Sequence, residues 1–489
     1  MFRYCISVFF VAMFFSQSFG VGGHCGTLQY AENLKNPQIL ARESYSAAKL
    51  SGTVRERKTK DNKFIIYYTE NGEHAVKNPS YIDSLEKYLV QAYKLHKDSL
   101  KMKGIEGAKQ TKFYEKTVPI GFYPVEVVDT GIAGYCDVYG LTFPPDTRAL
   151  KKTQIAIEND FLSGKDCSII KKGRPFISSI NGDYSKKWDL ALKVTVFHEL
   201  YHSFQLTQFN IYKNSSFWLE ASATGVEEIG APEVNDYIGY LSDVFHNPGE
   251  SINSLEKIQE YGYATLYLFL FSELGPNFDS VIWDYFSEYP EEKFAIHLAR
   301  LANSLDMDAE DLFHKYASHI FYSGTNAEVS PYGKPFWDDM RYWPDWKMKT
   351  TAPKVLPAGT FDFIRTADAP STDSVAIISP LKSGNSDSHF GWVLSRLLEK
   401  DFVLPVPFKD FIAYPNPWNP KRYSEIKFGP LPKNSSGVEI RSANGALLER
   451  IKGEPGNTLI WQPKKFPAPG ILYYRTLPYG KNKVLMLEY

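Results

Sequence analysis

The sequence predicts an α+β domain followed by β-sandwich modules, and three observations carry that expectation. Strand-like runs lie before residue 160 and helical spacing dominates residues 188–316; strands first and helices after is an α+β order. From Thr351 onward, short β-type runs alternate with Pro, Gly, Ser and Asn clusters, which is sandwich-like patterning. The chain has 489 residues, more than the roughly 250–300 at which a single core stops growing.

Composition narrows the function classes. Apolar residues are 43% and charged residues 23%, which excludes a largely disordered or collagen-like chain. Lys plus Arg is 55 against 56 for Asp plus Glu, a net charge of −1, so the basic surface that a nucleic-acid partner requires is not expected. Aromatics at 15% suit β-rich extracellular domains.

Residues 1–20 read as a secretory signal peptide. Arg3 is followed by an apolar run over 5–15 broken only by Ser7, with the small residues Ser18 and Gly20 before the expected cut. The run is too short to span a bilayer, which takes about 20 apolar residues. The mature chain is therefore expected to be secreted, with no membrane span. Loss of the signal removes Cys5 and leaves Cys25, Cys136 and Cys167. That odd count suggests one pair and one free thiol. Cys136 and Cys167 are placed to close a loop. Cys25 has two readings. One is an unpaired or intermolecular thiol; the other is a latency thiolate that occupies a metal until the N-terminal segment is removed. The bulky His24 argues against a lipid anchor at Cys25.

Residues 21–62 are polar and read as a leader or pro-segment. The main domain is expected over 63–350. Its first strand is KFIIYYT (63–69), closed by Asn71-Gly72. Ile82, Leu85, Leu89, Ala92 and Leu95 fall at helical steps within 80–101. Residues 117–128 and 153–158 read as strands. Residues 188–205 read as a long buried helix with Asp183 or Ser185 as cap, and further helical patterns cover 217–228, 233–245, 261–274 and 308–316. The Pro- and Trp-rich stretch 331–346 looks like a boundary. Residues 351–410 are expected to form a β-rich spacer domain, with strands at 374–378 and 402–408, and residues 411–489 a last module.

The chemistry is concentrated in His198-Glu199-Leu200-Tyr201-His202. On a helix the two histidines lie on one face and can hold one zinc ion. Glu199 sits one position round, close enough to address a water on the metal rather than the metal. Zinc acidifies such a water to near neutrality and the carboxylate takes its proton. HExxH arises by chance in roughly one chain in a hundred. Here, however, Val194, Val196, Phe197, Leu200 and Phe204 make the helix apolar on several sides, where two His and a Glu are costly to bury unless something binds them. A third ligand is needed. Glu220, in the apolar stretch Phe217-Trp-Leu-Glu-Ala-Ser-Ala223, follows a turn at 210–216 and is the candidate; Glu227 and Glu228 compete but are expected to face solvent. Two His, a Glu and an open position make a catalytic zinc set.

At these residues the chain resembles the gluzincin zinc metallopeptidases, which carry HExxH and a downstream Glu ligand, and residues 64–286 resemble secreted bacterial gluzincins with C-terminal sorting domains. The resemblance implies a zincin-like α+β fold, Zn2+ held by His198, His202 and Glu220, and Glu199 as general base. It also implies a tyrosine donor for the oxyanion, best matched by Tyr261 with Tyr263 second. The sequence departs from some gluzincins one turn after Glu220, where only Ala223 and Thr224 stand and no acid is available to orient a histidine. No residue set that binds a free α-amine is present, which favours an endopeptidase, and 153–158 is the candidate edge strand for an extended peptide. The tail carries Ala413-Tyr-Pro-Asn-Pro-Trp-Asn-Pro420, Val438-Glu-Ile-Arg-Ser-Ala-Asn-Gly445, Trp461 and Gly470-Ile-Leu-Tyr-Tyr-Arg475. These are similar to the small Ig-like domain of type IX secretion sorting and of flagellar hook-capping proteins, which implies secretion machinery as a partner and attachment at the cell surface.

The function expected is a secreted zinc-dependent peptidase with a peptide or protein substrate. A catalytically inactive surface or binding protein on the same fold is the alternative. A structural or storage metal site, with a protein side chain in the fourth position, is a third.

Overall fold

The computed structural model describes Cys25, Thr27, Leu50 and residues 52–105, 111–113, 116–130, 139–143, 153–161, 186–208, 216–246, 249–253, 260–305, 307–370, 375–384, 386–400, 402, 412–414, 416, 418–420, 424–429, 431–432, 435–463, 470–478 and 482–487. The signal-peptide expectation, the Cys136–Cys167 pair, the caps Asp183 and Ser185 and most of the strand at 402–408 lie outside the described residues. The chain divides into two units, residues 1–400 and 401–489, and is a mixture of helices and several sheets.

The first unit opens with β1 (Val54–Lys58) and β2 (Phe64–Thr69), an antiparallel pair. The expected leader therefore reaches into the sheet. The alternation in VRERK is charged because β1 is an edge strand with one solvated side, and charges blunt an open edge. Arg57 of β1 bonds Asp83 and Glu86 on the helix that follows, α1 (Tyr81–Lys94). The helical spacing within 80–101 continues past α1 as a π-turn, Leu95–Ser99. A small hairpin, β3 (Thr111–Phe113) and β4 (Lys116–Val118), precedes β5 (Tyr123–Val128). The single strand expected over 117–128 is thus two. Pro119 has no N–H for a ladder, and its carbonyl accepts from Phe122 N–H across a turn that puts Gly121 at φ +91°.

Two more strands, β6 (Gly140–Phe143) and β7 (Gln154–Glu158), complete a five-stranded sheet of order β1-β2-β5-β7-β6. β2, β5 and β7 are parallel; β6 is antiparallel to β7. This corrects the reading of 153–158 as the edge strand. β7 is internal, fully buried and hydrogen-bonded on both sides, and the edge is β6.

The helix α2 (Trp188–Gln208) lies on this sheet against β6 and β7, with α1 on another side and α3 (Ser216–Gly230) on a third. Every residue from Val194 to Leu206 is buried, as an all-round apolar helix requires. Beyond it come α4 (Ile238–Phe245), a 3-10 turn at Glu260–Tyr263, α5 (Ala264–Leu274), α6 (Phe278–Glu288), α7 (Phe294–Ser304) and α8 (Ala309–Ile320). α4 is shorter than the 233–245 pattern, because 232–237 are turns. α6 and α7 are additions to the sequence-based expectation. Asp308 caps α8 by accepting from Asp311 N–H at 3.0 Å.

The stretch expected as a spacer domain divides at Lys400, and its part before that belongs to the first unit. The strands β8 (Thr360–Ile364), β9 (Ile377–Ser383) and β10 (Ser386–Arg396) form an antiparallel sheet of order β8-β10-β9 that packs on α8. His314 of α8 bonds Ser395 and Ser379 at 2.8 and 2.7 Å, and Glu310 accepts from Leu397 and Leu398 N–H at 2.7 and 2.8 Å.

The second unit has two antiparallel sheets. β11 (Ile412–Tyr414), β12 (Ile426–Gly429) and β15 (Leu459–Trp461) form one; β13 (Gly437–Ser442), β14 (Leu447–Lys452), β16 (Gly470–Leu477) and β17 (Lys483–Leu487) form the other. One core of Trp418, Phe428, Val438, Ile440, Trp461, Leu472, Tyr474 and Leu485 lies in this unit. Asn444-Gly445 turns the β13–β14 hairpin, with Gly445 N–H on Ser442 O.

Candidate metal centre

The HELYH segment is in the middle of α2, so His198 and His202 are one turn apart and both buried. α3 then returns across α2. Its placement is fixed at the residue before the third candidate ligand but one: Trp218 donates from Nε1 to Asp279 Oδ1 of α6 at 2.7 Å, and Trp283 donates to Oδ2 at 3.2 Å. Two residues on, Glu220 points at the histidines. Its Oε2 is 3.2 Å from His198 Nε2 and 3.4 Å from His202 Nε2, and the two Nε2 atoms are 3.0 Å apart.

The other ring nitrogens are engaged elsewhere. His198 Nδ1 is 2.5 Å from Glu227 Oε1, and His202 Nδ1 is 2.7 Å from Gln205 Oε1. Both oxygens are acceptors, so each Nδ1 carries a proton and each Nε2 faces the centre, where it can offer its lone pair to a cation. Gln205 is held in turn, donating to Ser222 Oγ at 2.8 Å and Leu219 O at 3.2 Å, both on α3. The histidine that lacked a partner in the turn after Glu220 finds it in Glu227, two turns on. Glu227 and Glu228 are buried, which corrects the expectation that they face solvent. Glu227 is drawn in by His198; burial, and then the neighbouring Asp339 carboxylate, raise the pKa of Glu228 to about 10.

A fourth donor comes from far away in sequence. Cys25, buried and unpaired, brings Sγ into the same cluster, so that one ligand atom from each of Cys25, His198, His202 and Glu220 lies within 4.8 Å of all the others. Cys25 bridges Gly140 in parallel on the side of β6 away from β7, which no other strand covers among the described residues. Thr27 N–H donates to Cys25 Sγ at 3.3 Å. This buried Cys/His/His/Glu group can hold a metal ion.

The donors fit zinc by distance and by charge. Four-coordinate zinc with Zn–N bonds of about 2.05 Å separates its light-atom ligands by roughly 3.3 Å, and the separations above are 3.0, 3.2 and 3.4 Å. Two lone pairs facing each other at 3.0 Å repel unless a proton or a metal cation stands between them. Burial disfavours the charged form of His202, yet Cys25 and Glu220 outweigh it and push its pKa up to about 10. Burial likewise opposes ionisation of Glu220, but the two histidines hold it down to about 2. The cluster therefore draws positive charge to its centre. Glu220 Oε1 is buried with no hydrogen-bond partner, a cost that a cation removes.

Glu199 does not join the donor set. Its Oε2 accepts from Thr142 Oγ1 at 2.7 Å and from Thr27 Oγ1 at 3.3 Å, and its Oε1 is buried without a partner. Glu199 and His198 line one small cavity together with Val194, Thr195 and Glu227. Gly140 is what lets β6 come so close: a Cβ there would lie 2.4 Å from Glu199 Cγ. Tyr261 stacks beside His198, with ring centroids 6.1 Å apart and planes at 19°, and leans on Tyr240. Burial, with Glu220 and Cys25 nearby, keeps its phenol protonated. Tyr263 packs against Phe217 and donates to Glu250 O at 3.4 Å, as a core aromatic does.

Sequence reasoning missed Thr142, Thr27, Gly140 and Gln205 as parts of this site, and weighed Glu227 as a competing ligand rather than as the partner of His198 Nδ1. Two carried a signal: Gln205 is three residues after His202, and Glu227 is seven after Glu220, on the same helix face. No helix among the described residues is long and apolar enough to cross a membrane. No family model, no curated protein and no solved structure matches the chain.

Proposed function

We propose that the chain is a secreted zinc-dependent peptidase of the gluzincin type, with an endopeptidase's preference for the interior of an extended peptide. The observation that carries the reading is the convergence of His198 Nε2, His202 Nε2 and Glu220 Oε2, with each histidine's other nitrogen tied to its own acceptor. Zinc held there would acidify water and polarise a carbonyl. Glu199 takes the proton at Oε1, the oxygen that Thr142 leaves free, and returns it to the leaving amine. Tyr261, kept as a phenol, donates to the carbonyl oxygen as negative charge builds on it. The free side of β6 accepts the substrate backbone. The C-terminal unit, with its YPNPWNP opening, is the proposed sorting domain that engages secretion machinery.

A second reading has one observation in its favour. Cys25 makes a fourth protein donor, and a site closed by four side chains is structural or for storage. Hydrolysis of unstructured peptides by the Cys25→Ala chain separates the two. The peptidase reading expects turnover that a chelator abolishes, that Glu199→Gln removes while metal stays bound, and that His202→Ala removes together with the metal. A metal-loaded Cys25→Ala chain that hydrolyses no peptide leaves the closed site standing.

A further inference from the structure

We infer that the segment around Cys25 and Thr27 is an inhibitory plug, resting on the peptidase reading: it fills the fourth metal position, caps the base and covers the substrate edge at once. The three contacts are separate. Cys25 Sγ stands among the three ligand atoms. Thr27 Oγ1 accepts from Thr142 N–H at 2.9 Å and donates to Glu199 Oε2 at 3.3 Å. The backbone at Cys25 bridges Gly140 on the open side of β6. A peptide substrate needs that edge, and water needs that position and Glu199. Thr27 is fully buried and Cys25 nearly so, so both are packed into the site rather than lying loosely over it.

The plug is separable from the site it closes. His198, His202 and Glu220 are held by Glu227, Gln205, Ser222 and the Trp218–Asp279 bond, none of which involves the segment. Taking Cys25 away leaves two histidines, one glutamate and a vacancy, the catalytic set. No bond of the chain is cut on release: with a metal bound, the metal–sulfur bond would break, the thiolate would leave as a thiol with a proton from solvent water, and a water molecule would take its place. The segment's described end on the other side, Leu50, is anchored in the core with Val128, Leu141, Phe143 and Ala156. The described strands of the sheet all begin after Leu50, so loss of the chain before it would free the site and remove none of them.

Cobalt(II) substitution in the full chain tests this with a readout besides activity. Wild-type chain should show a thiolate-to-cobalt charge-transfer band; Cys25→Ala should keep the cobalt and lose the band. Cys25, followed by mass spectrometry of its own peptide, should be protected from a thiol reagent by bound metal, and Thr27→Val should raise its labelling rate several-fold. Peptide hydrolysis should rise tenfold or more from wild type to Cys25→Ala. A band that survives Cys25→Ala, a labelling rate that bound metal leaves unchanged, or equal and measurable turnover in the two chains overturns the plug while the peptidase reading stands. A band lost as expected with no turnover in either chain overturns the plug and the peptidase reading and leaves a closed metal site, and a chain that binds no cobalt fails at the metal itself.

Discussion

Replacing Gly140 by alanine probes how closely the edge strand must approach the base. Gly140 is not in the left-handed region, so alanine meets no backbone strain there and the effect is steric. The added Cβ would lie 2.4 Å from Glu199 Cγ, 2.7 Å from Thr195 Cγ2 and 2.9 Å from Glu199 Oε1. Carbon atoms rest at about 3.5–4.0 Å, so strand and helix must part by roughly 1 Å. α2 has no room to retreat, since α1 and α3 pack on its other sides. Overpacking of this kind costs about 1–3 kcal/mol, and a displacement of about 1 Å at a catalytic group costs on the order of 10²-fold in rate. Gly140→Ala should therefore melt a few degrees lower. In the Cys25→Ala background, where turnover is readable, it should lose about two orders of magnitude in kcat with metal still bound. Thr195→Ala, which removes one of the clashing atoms, should restore part of the stability in a double-mutant cycle. Gly239→Ala is the matched control: no atom lies within 4 Å of its Cβ position, and a glycine in a helix costs roughly 0.5–1 kcal/mol relative to alanine, so this variant should be stabilised. A Gly140→Ala chain as stable and as active as its parent would show that the β6–Glu199 contact has slack, and the argument would fail.

Two further outcomes follow from the same structure. Glu227→Gln weakens the acceptor behind His198 Nδ1 and should loosen metal about 10–100-fold in chelator competition, against outright loss in His202→Ala; unchanged affinity would remove Glu227 from the site. In the second unit, hydrogen bonds and charge from Arg441, with Arg450 and Arg475, hold the Glu439 carboxyl down to about 2, although its burial opposes this. A pKa lowered on folding contributes stability that is present above the ordinary glutamate range and lost as pH falls from about 4.5 towards 2. Hydrogen exchange in β13 and β16 should accelerate over that window in the parent and much less in Glu439→Gln, which should already be weaker at neutral pH. A parallel pH response in both chains would sink the assignment.

The helix that carries His198, Glu199 and His202 was legible because its chemistry is local. HELYH offers two candidate ligands and a candidate base within one turn, and the apolar residues around them state that the helix is buried. Glu220 was legible for the same reason, a charge inside an apolar helical run. The edge strand was not. β6 is four residues long, GLTF, and such a run has too few positions to show alternation, so the longer and more apolar β7 looked like the better edge. β1 was hidden by its own solvation, since VRERK reads as leader until its partner in β2 is seen. Glu228 was read as exposed because helix position says nothing about which neighbour will cover it.

What the order of residues determined alone is the set of groups able to bind one cation and the helices that carry them, because spacing along a helix is a distance. What only the tertiary structure decided is which groups from remote segments complete that set. Cys25 lies 173 residues before His198 in the chain, and an odd thiol count can suggest a ligand but cannot aim it. Its arrival beside the histidines, with Thr27 on Glu199 and Gly140 leaving the gap, depends on the close packing of a strand edge against a helix. Close packing is set by every neighbour at once and by no single stretch of sequence.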